Sequence, residues 1–190
     1  MEWINEKVSE LSIPEVVKNI PLTGLIFGFT STTKQMSEAS VQSIIQCFNI
    51  LLGNKCILVI PENDPILNQP LFCSHFYDGC FIRPTLLNGD RIKPEVTGVI
   101  HIMRSQSPRD YNETVTSLAA TGASMIIHFS NSPIVYPGHP FVPVFRMTER
   151  ESVNADGFVK EDTEKIMQRI VSVLSREEET IVRICIFSEL

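Results

Sequence analysis

Gly24-Leu-Ile-Phe-Gly-Phe-Thr30, then Ser37-Glu-Ala-Ser-Val-Gln-Ser-Ile-Ile-Gln-Cys-Phe-Asn-Ile-Leu-Leu-Gly-Asn54, then Cys56-Ile-Leu-Val-Ile60 is the run that decides the fold class. Both flanking segments are short, continuously apolar and rich in β-branched or aromatic residues, the mark of strands buried on both faces. The middle segment repeats its apolar residues at helical spacing, through Val41, Ile44, Ile45, Phe48, Leu51 and Leu52. Ser37 is placed to cap that helix, Glu38 suits its first turn, and Gly53-Asn54 stops it. Strand, helix and strand with short connections imply a parallel pair joined by a right-handed crossover.

The same alternation continues outward. Gly98-Val-Ile-His-Ile-Met103 reads as a third strand, ending in Arg104-Ser-Gln-Ser-Pro-Arg109. Asp110 with Glu113 three residues later forms a capping box, and Val115, Leu118 and Ala119 give the helix it opens a buried side, up to Gly122. Met125 to Phe129 and Val142 to Met147 read as further strands, joined by a stiff loop containing Pro133, Pro137, Pro140 and Pro143. Asp156-Gly157 marks a turn, a last helix carries Ile166, Ile170, Val173 and Leu174, and Ile181 to Phe187 reads as a final strand. Arg176 to Glu179 reads as a solvated turn. Residues 66–96 are the least regular part, with Asn88-Gly89-Asp90 suggesting a small hairpin. Residues 1–23, interrupted by Pro14 and Pro21, read as an N-terminal arm with a short helix over 2–11, and 24–190 as one domain. The expected architecture is α/β: a three-layer, mainly parallel sheet with helices on both faces.

Composition narrows the function classes. A chain of 190 residues with 43% hydrophobic and 20% charged residues has the balance of an ordinary globular domain. A net charge of −6, with acids spread along the chain, argues against a nucleic-acid or anionic-membrane surface. No apolar run spans a bilayer, and Met1-Glu-Trp-Ile-Asn-Glu-Lys7 lacks the pattern of a signal peptide, so the expected compartment is the cytoplasm. Five cysteines without paired spacing fit reduced thiols.

Ligands of such sheets bind beyond the carboxyl ends of the strands. Thr30-Ser-Thr-Thr-Lys34, between a strand and a helix, has hydroxyls and amides suited to a phosphate or carboxylate. A flavin-phosphate loop has a similar composition but adds glycine or asparagine, which this turn lacks. Ser130-Asn131-Ser132 follows the 125–129 strand, and Glu62-Asn63-Asp64 follows the second one. His139, between glycine and proline, is the general acid/base candidate, whereas His101 and His128 lie inside strands and read as satisfied core histidines. Cys73, His75, Asp78 and Cys80 hold metal-capable atoms, without the distant second pair of a zinc site. No nucleophile elbow, Walker loop or dinucleotide fingerprint occurs.

Two stretches resemble the C-terminal region of the altronate and galactarate dehydratases. One is Gly28 to Glu62, where that family has a Gly-Ser-Asp turn, a helix, a Gly-Gly-Thr turn and a strand ending in glutamate. The other is Glu113 to Thr148, in which Glu113-Thr-Val-Thr-Ser-Leu-Ala-Ala-Thr-Gly-Ala123 is similar to the family's Glu-Ser-Met-Thr-Gly-Leu-Ala-Ala-Ala-Gly-Ala. Gly28, Glu62, Ser130, Gly138, Pro140 and Pro143 match directly, while Phe27 and Ser31 stand where the family has cysteine and aspartate. Ser132-Pro133-Ile134 replaces its Gly-Arg-Gly. The resemblance implies a domain that binds a sugar-acid-like carboxylate or serves as a subunit of a dehydratase, a carbon–oxygen lyase. That chemistry removes the proton beside a carboxylate and expels water, with a divalent metal stabilising the enediolate. On this reading Glu62 and His139 are base and acid, and Thr30, Ser31, Asn63, Ser130 and Asn131 bind the ligand. The competing expectation is a non-catalytic scaffold that meets a partner subunit, or a second copy in a homo-oligomer, through Trp3, the arm and residues 66–96.

Overall fold

The computed structural model describes residues 21–76, 82–93, 95–104, 110–134, 136–159 and 161–175. The helix expected over 2–11, Trp3, the turn at Arg176 to Glu179 and the strand over 181–187 lie outside the described residues, as do Asp78 and Cys80.

In chain order the elements are β1 (Ile26–Ser31), α1 (Glu38–Gly53), β2 (Ile57–Pro61), a 3-10 turn (Pro65–Asn68), α2 (Pro70–Phe76), β3 (Ile82–Leu86), β4 (Val99–Met103), α3 (Tyr111–Ala120), β5 (Met125–Phe129), β6 (Val144–Thr148), β7 (Gly157–Phe158) and α4 (Thr163–Leu174). The strands form one sheet in the order β3-β4-β2-β1-β5-β6-β7, and every neighbouring pair is parallel. The chain first builds outward from β1 through β2, then crosses back to lay β5, β6 and β7 on the other side of β1. β1 and β5 therefore flank the switch point, and all carboxyl ends share one edge.

Helices cover both faces. On one, α1, α2 and α4 bury Val41, Phe48, Phe72, Phe76, Ile166 and Ile170 against Phe27, Phe29, Leu58, Ile60, Ile127 and Phe145. Phe48 meets Phe29 edge-on at 5.1 Å and Phe72 at 5.9 Å between ring centroids, arrangements in which ring edge faces ring cloud. On the other, α3 lays Val115 and Leu118 over Ile26, Ile57, Val59, Ile126 and Val144. The side chains alternate as a strand requires, so in β5 Ile126 and His128 face α3, and in β6 Val144 and Arg146 do. Gly28 makes this close approach feasible: a Cβ there would come within 3.1 Å of the Leu118 Cβ and 3.2 Å of Ile126.

The caps form as the residue pattern requires. The Ser37 side chain accepts from the Ser40 amide, and Asp110 accepts from the Asn112 and Glu113 amides. The stop after α1 differs in detail, because Gly53 stays helical and Lys55 takes the left-handed conformation at φ 59°. Asn88-Gly89 does turn, with the Leu87 amide donating to the Asp90 carboxylate. Yet β3 runs parallel to β4, so the suggested hairpin is not formed. The turn instead leads to Ile92, whose amide donates to the Thr121 carbonyl. Asp156-Gly157 likewise opens a two-residue strand, since Gly157 pairs with Met147 and Phe158 with Thr148.

Candidate functional site at the carboxyl edge

The ends of β1 and β5 are joined by a chain of polar contacts. Thr32 donates its amide to the Phe129 carbonyl at 3.1 Å and its hydroxyl to Ser130 Oγ at 2.8 Å. The same Thr32 hydroxyl lies 3.2 Å from His128 Nε2. A hydroxyl has one hydrogen, already given to Ser130, so it accepts from His128 and the imidazole carries its proton on Nε2. Ser130 Oγ also accepts from the Ser132 amide at 3.2 Å. Ser31 closes a small turn on itself, its hydroxyl accepting from the Thr33 amide at 3.1 Å.

On the β2 side, Glu62 is exposed, with its amide bonded to the Met103 carbonyl at 2.8 Å, and Asn63 is half-buried beside it. The buried carboxyl in this turn belongs to Asp64. It accepts from the Ser31 amide at 2.6 Å and the Ile66 amide at 3.0 Å, with a further bond to the Thr30 side chain. Burial nevertheless lifts its pKa to about 7, because desolvation outweighs those bonds. Thr30 and Ser31 thus hold Asp64, fastening the ends of β1 and β2 together.

On the other flank, Asn131 donates from Nδ2 to Glu149 at 3.0 Å and accepts from the Glu149 amide at 2.9 Å. The second Glu149 oxygen accepts from Ser40 Oγ at 3.2 Å, in the first turn of α1. Hydrogen bonds, led by that of Ser37, hold this carboxyl below its usual range. The position where an anion would meet the N-terminus of α1 is therefore taken by the chain's own carboxylate.

His139 lies in the proline loop, and its Nδ1 accepts from the Phe141 and Val142 amides, both at 3.2 Å. Those bonds leave Nε2 as the protonated nitrogen of the neutral ring, and partial burial lowers its pKa. Glu62 follows β2 and His139 precedes β6. Three strand spacings, about 14 Å, separate those two strands.

Behind the Thr32–Ser130 contact, facing α3, is a group the sequence reading did not anticipate. His128 and Arg146 are register partners on neighbouring strands, 0% and 1% exposed. The Arg146 guanidinium donates from Nη1 to the Asn154 carbonyl at 3.1 Å and from Nη2 to the Ser132 carbonyl. Its Nε has no acceptor, and it forms no ion pair among the described residues. The Asp156 carboxylate bonds the Arg146 amide at 2.7 Å. Tyr111, from the first turn of α3, stacks obliquely on His128 at 4.7 Å, and Tyr136 from the proline loop meets both rings, at 4.7 Å and 5.1 Å. Among the described residues Tyr111 Oη and His128 Nδ1, both buried, have no hydrogen-bond partner. Burial, then the Arg146 charge, lowers the His128 pKa to about 3, so the ring stays neutral. Burial raises that of Tyr111, keeping its phenol protonated. His128 is therefore not the satisfied core histidine expected from its place in a strand.

Of the metal-capable residues in the 73–80 stretch the structure describes Cys73 and His75. Cys73 donates its thiol to the Leu67 carbonyl, and His75 Nε2 lies 3.1 Å from Asn49 Oδ1. Among the described residues no three His, Cys, Asp or Glu side chains come together as a metal site. The divalent ion implied by the dehydratase resemblance has no cradle among them.

The residues missed by sequence reasoning are Asp64, Tyr111, His128, Tyr136, Arg146 and Glu149. One signal was present: His128 is the lone polar residue of β5, and Arg146 the lone charged residue of β6. No protein-family model matches the chain, and no curated protein sequence matches it.

Proposed function

We propose that this domain binds a small carboxylated ligand of the sugar-acid kind at the switch point between β1 and β5. The observation that carries the reading is the Thr32 hydroxyl bridging His128 Nε2 and Ser130 Oγ across the two strand ends. Open carboxyl edges at a switch point are where parallel α/β sheets take ligands, and hydroxyls and amides are the groups a polyhydroxy acid needs. The resemblance to sugar-acid dehydratases, through Gly28, Glu62, Ser130, Gly138, Pro140 and Pro143, supports the same ligand class. Thr30, Ser31, Asn63 and Asn131 stand at that edge with Ser130.

In the dehydratase version of this reading, Glu62 takes the proton beside the carboxylate and the leaving hydroxyl is protonated by water, because His139 lies beside the start of β6, three strands from β2 and toward the other end of the sheet. Glu62→Gln then abolishes turnover of an aldonate while leaving the melting point unchanged; turnover equal to wild type removes Glu62 from the mechanism.

The binding reading is tested by thermal unfolding against aldonates, aldarates and divalent metals. A ligand present at about 100 times its dissociation constant adds about 2.7 kcal/mol, an easily measured rise in melting point. A panel without any rise contradicts it. A second reading, a scaffold for a partner chain, draws on large apolar side chains exposed in the loops: Val153 at 90% and Ile134 at 64% after strand ends, and Phe141 at 88% before the start of β6. Its expected outcome is a flat ligand panel together with a native mass above that of one chain.

A further inference from the structure

His128 Nδ1, Arg146 Nε and Tyr111 Oη are three buried polar atoms without partners among the described residues, contributed by β5, β6 and the first turn of α3. Native interiors rarely leave such atoms unpaired, and a guanidinium buried without a carboxylate is rarer still. The three belong to one place. Arg146 is the register partner of His128 on the same face, Tyr111 lies against the His128 ring, and the Arg146 charge acts on both.

Their chemistry is complementary to one kind of fragment. Arg146 offers Nε–H and the guanidinium hydrogens not used by the Ser132 and Asn154 carbonyls, a fork suited to a carboxylate. Tyr111 offers a second hydrogen-bond donor. His128 has its proton on Nε2, engaged with Thr32, so Nδ1 offers a bare lone pair that calls for a hydroxyl donor. Hydrophobic side chains of Ile126, Val115 and Leu118 continue the same face toward the sheet interior and exclude water from below. The half-buried Tyr111 and Tyr136 rings form the side of the cluster nearer solvent.

We propose that His128, Arg146 and Tyr111 form a recognition site for a 2-hydroxy acid, with the carboxylate on Arg146 and Tyr111 and the neighbouring hydroxyl donating to His128 Nδ1. Tyr136 packs over the bound fragment. The site deepens the sugar-acid reading and rests on it only for the rest of the ligand, since every aldonate contains this fragment. It is separate from the Glu62 assignment, and it restores on a different strand a guanidinium that the Ser132-Pro133-Ile134 segment lacks.

The test is calorimetric titration of the full chain with glycolate, the smallest 2-hydroxy acid, beside acetate, which lacks the hydroxyl, glycolamide, which lacks the charge, and D-gluconate. Glycolate is expected to bind at least ten-fold tighter than acetate or glycolamide. Arg146→Met is expected to remove glycolate binding. Tyr111→Phe, which deletes a hydroxyl with no partner in the fold and so leaves folding intact, is expected to weaken glycolate three-fold or more. Equal affinity of glycolate in wild type and Tyr111→Phe overturns the proposal, even if Arg146→Met fails to fold. Gluconate binding that neither substitution alters overturns the site but leaves the sugar-acid reading standing. Glycolate binding without binding of any aldonate or aldarate supports the site and removes the sugar-acid reading. No binding of any probe overturns both, the orphaned atoms then being served by water.

Discussion

On the face of the sheet under α1, α2 and α4, Phe48 is surrounded by Phe29, Phe72 and Phe76, and the buried side chains around it are almost entirely apolar. On the face under α3, the apolar packing of Val115 and Leu118 gives way, toward the carboxyl edge, to His128, Arg146 and Tyr111 with unpaired polar atoms. The first arrangement gains by burial and edge-to-face ring contact. The second costs desolvation free energy at His128 Nδ1, Arg146 Nε and Tyr111 Oη that no hydrogen bond among the described residues returns. A chain under selection for stability alone has cheaper ways to fill that space, with a leucine at 128 or a methionine at 146. The contrast separates a face that holds the fold from a face that, on the proposal above, takes a ligand.

Phe48→Ala attacks the first face and has the largest effect expected here, a loss of about 3–5 kcal/mol in urea unfolding, since a ring-sized cavity cannot fully collapse. Asp64→Asn comes next. An amide NH₂ must then face either the Ser31 or the Ile66 amide, donor against donor, and about 1–3 kcal/mol is lost. Gly28→Ala pushes Leu118 and α3 off the sheet by a few tenths of an ångström and costs about 1–2 kcal/mol. Tyr111→Phe, on the second face, leaves stability unchanged or slightly raised, because the hydroxyl it removes has no partner. A matching loss of stability there would erase the contrast between the faces.

Asp64 also gives the comparison a pH axis. Its folded pKa of about 7 exceeds the ordinary carboxyl value of 3.8, so the folded state binds the proton more tightly. Its stabilising contribution is full below pH 3.8, declines as pH rises toward 7, and is flat above. Asparagine does not titrate, so the stability difference between wild type and Asp64→Asn is expected to be largest near pH 4 and smaller at pH 8. Urea titrations of both proteins across that range check it, and a difference that grows with pH reverses the sign.

The fold was legible where local and global signals agreed. Strand 26–31, helix 38–53 and strand 57–61 each carry their own periodicity and caps, and their order forces a parallel pair. Helix 70–76 begins at Pro70 and has two turns at most, too few for periodicity to appear, and strand 82–86 contains Pro84, which weakens any strand signal. The site was less legible for a different reason. Ser31 meets Asp64 across 33 residues, and Ser40 meets Glu149 across 109, pairings that topology creates and no local pattern announces. Ser130 and Asn131 stood out because small polar residues after an apolar strand are conspicuous. Arg146 did not, because Val144-Phe-Arg-Met-Thr148 reads as a buried strand whether or not its one charge is paired. Only the register that sets it beside His128 turns two ordinary strand residues into a candidate site.

The most direct measurement is ¹⁵N NMR of the side chains of Arg146 and His128, without and with glycolate. The account predicts a His128 ring that stays neutral from pH 5 to 8 with its proton on Nε2, and an Nδ1 resonance that moves upfield as it gains a hydroxyl donor. It predicts that the Arg146 Nε–H resonance shifts and exchanges more slowly in the same titration. Resonances of both side chains that are unmoved by saturating glycolate would contradict it, leaving the polar cluster beneath α3 as a feature of the fold alone.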